Sequence, residues 1–238
     1  METYRTVKMG LTRFTIIRSK NGVILIDTVP FAYRDRFYRR LKRLGITTSQ
    51  ITAILLTHHH EDHTGIVASL LESNPKARLI FHAREEAALL SGRNQAATYA
   101  NHTIEGFSKK ANVQATFTPL PRRSQDLVIG EEESPLLRDL GIDATLLHTS
   151  GHTPGSVCIL FDDRTLIAGD TFANIPLNLF KANPFPFVYE DRQALLRSWK
   201  RILSKKPERI VPSHGRTLTV SAIATALKIQ ENQSNLSQ

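Results

Sequence analysis

The sequence predicts an α/β fold. Short apolar runs bounded by turn residues recur along the 238 residues, amphipathic stretches lie between them, and several of the apolar runs end in histidine or aspartate. Residues 22–26 read as an early strand that runs into Asp27-Thr28. In residues 31–44, Phe37, Tyr38, Leu41 and Leu44 are interleaved with Arg34, Arg36, Arg39, Arg40, Lys42 and Arg43, the pattern of a helix with a charged outer face. Residues 51–56 form a second strand and residues 65–71 a helix. Further strands are expected at 78–81, 144–147, 157–161, 165–168 and 209–211, with a second basic amphipathic helix over 191–203.

The turn after residues 51–56 carries the chemistry. His58-His59-His60-Glu61-Asp62-His63 puts four histidines and two carboxylates into six consecutive positions. Imidazole and carboxylate are the donors preferred by zinc and its first-row neighbours, and core packing has no use for so many titratable groups side by side. If the backbone stays extended past Thr57, His58 and His60 project to one side, while Asp62 and His63 lie where the chain turns into the helix. Two donor pairs aimed at neighbouring points suggest two metals.

One run of residues does not close such a site, and the second half of the chain supplies the rest. His152 sits in a Gly/Pro turn, Gly151-His152-Thr153-Pro154-Gly155, between two apolar strands. Asp170 follows the strand at 165–168, and His214 follows the strand at 209–211. Each alone reads as an exposed loop residue. Jointly they put donor-type side chains at three successive strand ends.

These motifs resemble the metallo-β-lactamase superfamily: His58-x-His60-x-Asp62-His63, Gly151-His152-Thr153-Pro154-Gly155, Gly169-Asp170 and Ser213-His214-Gly215 occur in the family's order, and the strand ending in Asp27-Thr28 is similar to its early strand. The resemblance implies a four-layer αββα sandwich with the metals at one sheet edge. It implies a first metal on His58, His60 and His152, a second on Asp62, His63 and His214, and Asp170 as the bridge. The implied activity is that of a dinuclear hydrolase in which a metal-bridging hydroxide attacks a carbonyl or phosphoryl centre. Asp62 is also expected to orient the hydroxide, and Asp27 to hold the histidine loop by hydrogen bonds. Zinc is the first expectation for the two divalent ions, with manganese or iron as alternatives.

The other histidines are read conservatively. His59 should point away from the metals, to solvent or to a supporting contact. His82 and His148, at strand ends, are expected to be structural or to line the cleft. His102 carries no signal.

Composition fits one domain over residues 1–238, with no Gly/Ser linker or low-complexity tract. The single cysteine, Cys158, excludes an intramolecular disulfide and reads as a small buried hydrophobe. The start shows no secretory signal and no run is long enough to span a bilayer, so a cytoplasmic location is expected. The formal charge of +9 has two readings: solvated outer faces of helices, or a field that attracts an anionic substrate.

Two segments are expected to hold specificity. One is 91–123, read as a helical insertion or lid. The other is 172–190, whose aromatics and prolines either line an acyl pocket or pack beneath the loop. The favoured substrates are small thioesters, esters or lactones, with acyl-bearing or anionic groups. The chain is similar to glyoxalase-like thioesterases and lactonases, but little of it remains after His214 to form the helical glutathione-binding domain of glyoxalase II proper. A phosphodiesterase or nuclease is the alternative, with nucleic acid not favoured as a partner. A one-iron enzyme resembling persulfide dioxygenases, with its metal on His58, His152 and Asp170, is a second alternative. Oligomeric state is left open.

Overall fold

In β3 (Gly22–Ile26), Ile24 and Ile26 face one side and Leu25 the other, and this period-two alternation sorts the molecule into layers. A computed structural model describes residues 3–94, 98–99, 116–174 and 184–235. Strands β1 (Thr3–Met9), β2 (Thr12–Ser19), β3, β4 (Ile51–Leu55) and β5 (Arg78–His82) are followed by the two-residue β6 (Thr98–Tyr99) and by β7 (Leu127–Ile129). All but β6 form one sheet in the order β1-β2-β3-β4-β5-β7, antiparallel from β1 to β3 and parallel from β3 onward. A second sheet contains β8 (Glu133–Ser134), β9 (Ala144–His148), β10 (Val157–Phe161), β11 (Thr165–Ile167) and β14 (Arg209–Val211), in the order β14-β11-β10-β9-β8. The short β12 (Ala173–Asn174) pairs with β15 (His214–Gly215), and β13 (Val188–Tyr189) pairs with β6.

The sheets face each other across one apolar layer. Ile24, Ile26, Ala53, Leu55 and Ile80 of the first meet Ala144, Leu146, Val157, Ile159 and Ile167 of the second. The opposite face of the first sheet, with Phe14, Leu25, Ile54 and Leu79, is covered by α1 (Arg34–Arg43), α3 (Val67–Ser73) and α4 (Glu86–Ser91) through Phe37, Leu41, Leu70 and Leu89. Leu147, Cys158, Leu166 and Ile210 on the outer face of the second sheet are covered by α6 (Arg192–Ser204) and α7 (Val220–Asn235) through Leu195, Trp199, Ile202 and Ile223. The result is the αββα sandwich implied by the motifs. The central strands β3 and β10, buried on both faces, are short continuous apolar runs, as expected where neither face meets water.

The expected helix over 31–44 begins as a 3-10 turn at Phe31–Tyr33 and becomes α-helical at Arg34. Its Phe37 and Leu41 are buried while Arg34, Arg36, Arg39, Lys42 and Arg43 face solvent, the ordinary amphipathic arrangement. The helix expected over 65–71 is α3, and a separate helical turn, α2 (Glu61–Thr64), forms ahead of it within the histidine run. Thr64 Oγ1 donates back to the carbonyls of His59 and His60, which tightens the first turn at the histidine run instead of after it. The short α5 (Leu136–Asp139) precedes β9. Cys158 is buried between Thr149 and Thr171, and burial pushes its thiol up to about 11. Among the described residues, no helix is long and apolar enough to cross a membrane.

Candidate functional site

The loops that follow β4, β9, β11 and β14 converge at one end of the sandwich. Directly beneath them the Val157 N–H donates to Thr57 O at 2.9 Å and so joins the two sheets. Asp27, at the end of β3, sets the shape of the histidine loop. Its backbone is left-handed, with φ 59°, a conformation that aspartate tolerates better than most residues. That turn aims its carboxylate at the next loop: Oδ1 accepts from Thr57 N–H at 2.7 Å, and Oδ2 accepts from Thr57 Oγ1 at 2.7 Å and from His63 Nδ1 at 2.9 Å.

The second half uses glycine for the same purpose. Gly151 has φ +132°, and a Cβ there would lie 2.3 Å from Leu195 N, so only glycine lets the His152 turn pack against α6. Gly169 has φ +52°, and a Cβ would lie 2.8 Å from the side chain of Thr57. The positions before His152 and Asp170 are therefore fixed by backbone shape and close approach. His214 is carried by β15, whose pairing with β12 sets Ala173 opposite it, three residues beyond Asp170.

Four rings are oriented by the bond made by the nitrogen facing away from the centre. His152 Nδ1 donates to Val188 O at 2.7 Å and His214 Nδ1 to Leu11 O at 3.0 Å, since a carbonyl only accepts. His63 Nδ1 is held by Asp27. Thr57 Oγ1 spends its proton on Asp27 and so accepts from His58 Nδ1 at 3.0 Å. Each bond leaves Nε2 as the nitrogen directed inward, where the neutral ring would present the lone pair that metal ligation needs.

All seven residues named from the sequence come together. The donor atoms of His58, His60 and His152 lie within 4.8 Å of one another, as do those of His58, His63 and Asp170, and those of Asp62, His63 and His214. Asp170 stands between the groups, with Oδ2 at 3.2 Å from His214 Nε2 and 3.8 Å from His152 Nε2, and Oδ1 at 3.5 Å from His63 Nε2. His58 Nε2, His63 Nε2 and Asp170 Oδ1 are buried and have no hydrogen-bond partner. Buried polar atoms are normally paired. Three orphans pointing into one small space, lined among the described residues by imidazoles and carboxylates, fit divalent cations as the missing partner.

The electrostatics divide the site in two. Burial and the neighbouring rings hold His58 and His60 well below the usual imidazole range, and burial also lowers His152. This half is a set of neutral nitrogen donors. Burial opposes charge on His63 and His214 as well, but the carboxylates around them win: Asp62, Asp27 and Asp170 raise His63 well above its usual value, and Asp170 and Asp62 carry His214 up to about 10. Burial likewise disfavours the charged forms of Asp62 and Asp170, yet His63 and His214 hold both below the ordinary carboxylate range. This half is built for positive charge.

His59 does not reach solvent. It is buried, with its Nδ1 at 2.5 Å from Glu85 Oε2. Burial works against Glu85, but His59, Thr153 and Gly155 hold its carboxyl below the usual range. Sequence reasoning missed Glu85 because Arg84-Glu85-Glu86 reads as a solvated helix start, and only the β5 connection brings it behind the histidine loop. Thr12, whose Oγ1 donates to Asp62 Oδ2 at 3.2 Å, gave no signal either. His82 and His148 are structural: their rings stack at 4.0 Å, and His148 Nε2 donates to Pro154 O. Most of 91–123 (95–97 and 100–115), together with 175–183 in the second expected specificity segment, lies outside the described residues, as does His102.

A sequence model of the metallo-beta-lactamase superfamily matches residues 10–214. An uncharacterized Bacillus subtilis (strain 168) protein, YobT, is 29% identical over 212 residues, covering 85% of this chain and 82% of that protein. A hydroxyacylglutathione hydrolase of Rhodopseudomonas palustris (strain BisB5) is 27% identical over 188 residues, covering 79% of this chain; the match spans only 56% of that longer enzyme. Among solved structures, TTHA1623 in a di-iron-bound form superposes with a TM-score of 0.63 at 24% identity, over 93% of this chain and 98% of that one, which is a likeness of fold. Family match, sandwich and converging donors agree, and the chain belongs to the metallo-beta-lactamase superfamily of metallo-hydrolases.

Proposed function

We propose that this chain is a dinuclear metal-dependent hydrolase acting on a small thioester, ester or lactone, in a cytoplasmic setting. The observation that supports it most is the pair of donor groups around Asp170, with three inward-facing buried atoms that have no partner. In this reading His58, His60 and His152 hold one ion, Asp62, His63 and His214 hold the other, and Asp170 serves both. Zinc is the first candidate, with manganese or iron as alternatives; the donor set suits all three. When bound, such a pair of ions supplies an activated water near neutral pH and a Lewis acid for the attacked oxygen.

The chain's own residues then set direction. The neutral triad of His58, His60 and His152 would bring no countercharge to an ion held there, and such an ion would supply the stronger Lewis acidity toward a carbonyl oxygen. Asp62 and Asp170 balance the other side. Asp62 has its side chain 32% exposed against 10% for Asp170, so it is the carboxylate that reaches the cleft. There it accepts a hydrogen bond from the attacking water and orients it, while Thr12 and His214 hold the carboxylate in place. No side-chain nucleophile is needed: Cys158 is buried in the core with its thiol pushed up to about 11.

Metal quantification coupled to a screen of thioesters, lactones and phosphodiesters on one preparation tests this reading. Two ions per chain and metal-dependent turnover of an acyl substrate are expected. One iron per chain with oxygen uptake would replace the proposal by an oxygenase, and turnover confined to phosphodiesters would replace it by a phosphodiesterase.

A further inference from the structure

Behind the His58, His60 and His152 group lies a buried carboxylate that the proposed reaction does not use. Glu85 is 1% exposed and sits in the turn between β5 and α4. Both of its oxygens are fully occupied, each by a different loop. Oε2 accepts from the His59 backbone N–H at 2.8 Å and from His59 Nδ1 at 2.5 Å. Oε1 accepts from Thr153 Oγ1 at 2.9 Å and from the Gly155 N–H at 2.6 Å. His59 lies between His58 and His60 in sequence, and Thr153 follows His152. A Cβ at Gly155 would stand 2.6 Å from Glu85 Oε1, so the glycine there is what lets the carboxylate in.

We propose that Glu85 is a positioning residue for the three-histidine ion: one carboxylate clamps the loop that bears His58 and His60 to the loop that bears His152, and so sets the spacing of that donor triad. The inference rests on the proposed metal reading. Its physical content is the count of donors. A carboxylate only accepts, and here four donors converge on it from two loops whose inward nitrogens, His60 Nδ1 and His152 Nε2, lie 3.1 Å apart. An amide of the same size always turns an NH2 group toward one of the two loops, setting donor against donor. One arm of the clamp then opens whichever way the amide is flipped. Supporting contacts behind ligands of this type change metal affinity by about 10–100-fold when removed.

The asymmetry provides the test. Glu85 touches neither Asp62 nor His214, so its loss should weaken one ion of the pair and spare the other. Zinc competition titrations of the full-length wild type, Glu85→Gln and Thr153→Val read the two affinities separately, and the visible spectrum of the cobalt form reads the ligand geometry. For Glu85→Gln we expect one affinity to fall about 10–100-fold with the other within about threefold of wild type, and an altered cobalt spectrum. Thr153→Val, which removes one of the four donors, should weaken the same ion by less. A folded Glu85→Gln with both affinities unchanged, or with both lowered alike, overturns the clamp. So does a drop in thermal stability with the metal affinities intact. If Glu85→Gln does not fold, wild-type affinities in folded Thr153→Val overturn it. A wild type that fails to bind two ions would instead sink the dinuclear reading itself.

Discussion

Asp27 and Thr57 are joined by two hydrogen bonds of 2.7 Å, one from the Thr57 backbone N–H and one from its hydroxyl, and the same carboxylate also holds His63 Nδ1 at 2.9 Å. Through Thr57 the contact extends to His58 Nδ1. One residue in a left-handed turn at the end of β3 thus orients a ring on each side of the site. Asp27→Asn preserves the size of the side chain but removes an acceptor that three donors share. It is expected to lower the affinity for the ion proposed on Asp62, His63 and His214 about 10–100-fold. It should also cost about 1–3 kcal/mol of stability for a buried donor left unpaired. Metal titration together with urea unfolding measures both. Wild-type values in both would remove Asp27 from the scheme.

The Gly151 contact makes a sharper prediction. A Cβ at that position would lie 2.3–2.6 Å from the backbone and Cβ of Leu195, and backbone does not yield as a flexible side chain does. Gly151→Ala must therefore shift the turn away from α6 and carry His152 with it. We expect about 1–3 kcal/mol of destabilisation, typical of overpacking, with a loss of bound metal larger than stability alone explains. Full metal content at 25 °C in the folded variant would show that the turn is more compliant than its packing implies.

How much of this was legible in the sequence follows from the range of the forces involved. The strands could be read because short apolar runs record burial on both faces, and the candidate metal donors because imidazoles and carboxylates cluster in the histidine run, while the αββα layering needed the resemblance. His58 and His60 are legible locally, from strand alternation. Asp170 and His214 needed the resemblance as well, since a single acid or histidine at a strand end is ordinary. Glu85 was illegible: its role depends on two loops 26 and 68 positions away in the chain, and an acid at a helix start looks solvated. The burial of His59 follows from that same contact. The helical turn α2 inside the histidine run was missed because the hydroxyl of Thr64 bonds back to the His59 and His60 carbonyls, which periodicity does not record.

Trp199 links the core under the second sheet to the site. Its ring is fully buried 4.9 Å from Phe172, and its Nε1–H donates to Thr171 O at 2.9 Å, one residue past Asp170. Trp199→Ala should cost about 3–5 kcal/mol as a large-to-small core change. Trp199→Phe, which retains a ring but leaves the Thr171 carbonyl without its donor, should cost about 1–3 kcal/mol. Denaturant midpoints order the three proteins. If Phe were as damaging as Ala, the hydrogen bond to the loop, rather than the volume of the ring, would be the dominant contribution.

The His82 and His148 stack gives the chain a pH dependence separate from the metal donors. His82 is 2% exposed, its Nδ1 accepts from the Arg84 N–H at 3.2 Å, and its Nε2 has no partner. Burial, the parallel His148 ring and the Arg84 charge lower its pKa to about 4, against which Glu85 pulls weakly. In the unfolded chain the same ring titrates near about 6.5. Between those two values the unfolded state binds a proton that the folded state refuses, so folding stability rises with pH across the window and is lost as pH falls from about 6.5 toward 4. His82→Asn can keep an acceptor for Arg84 but has nothing to protonate. Urea unfolding of both proteins from pH 4 to 7 should therefore diverge: the wild type loses stability more steeply below about pH 6.5, and the difference between the curves is flat above it. Parallel curves through the whole range would mean that His82 is protonated in the folded protein as readily as in the unfolded one, and that the stack does not hold it neutral.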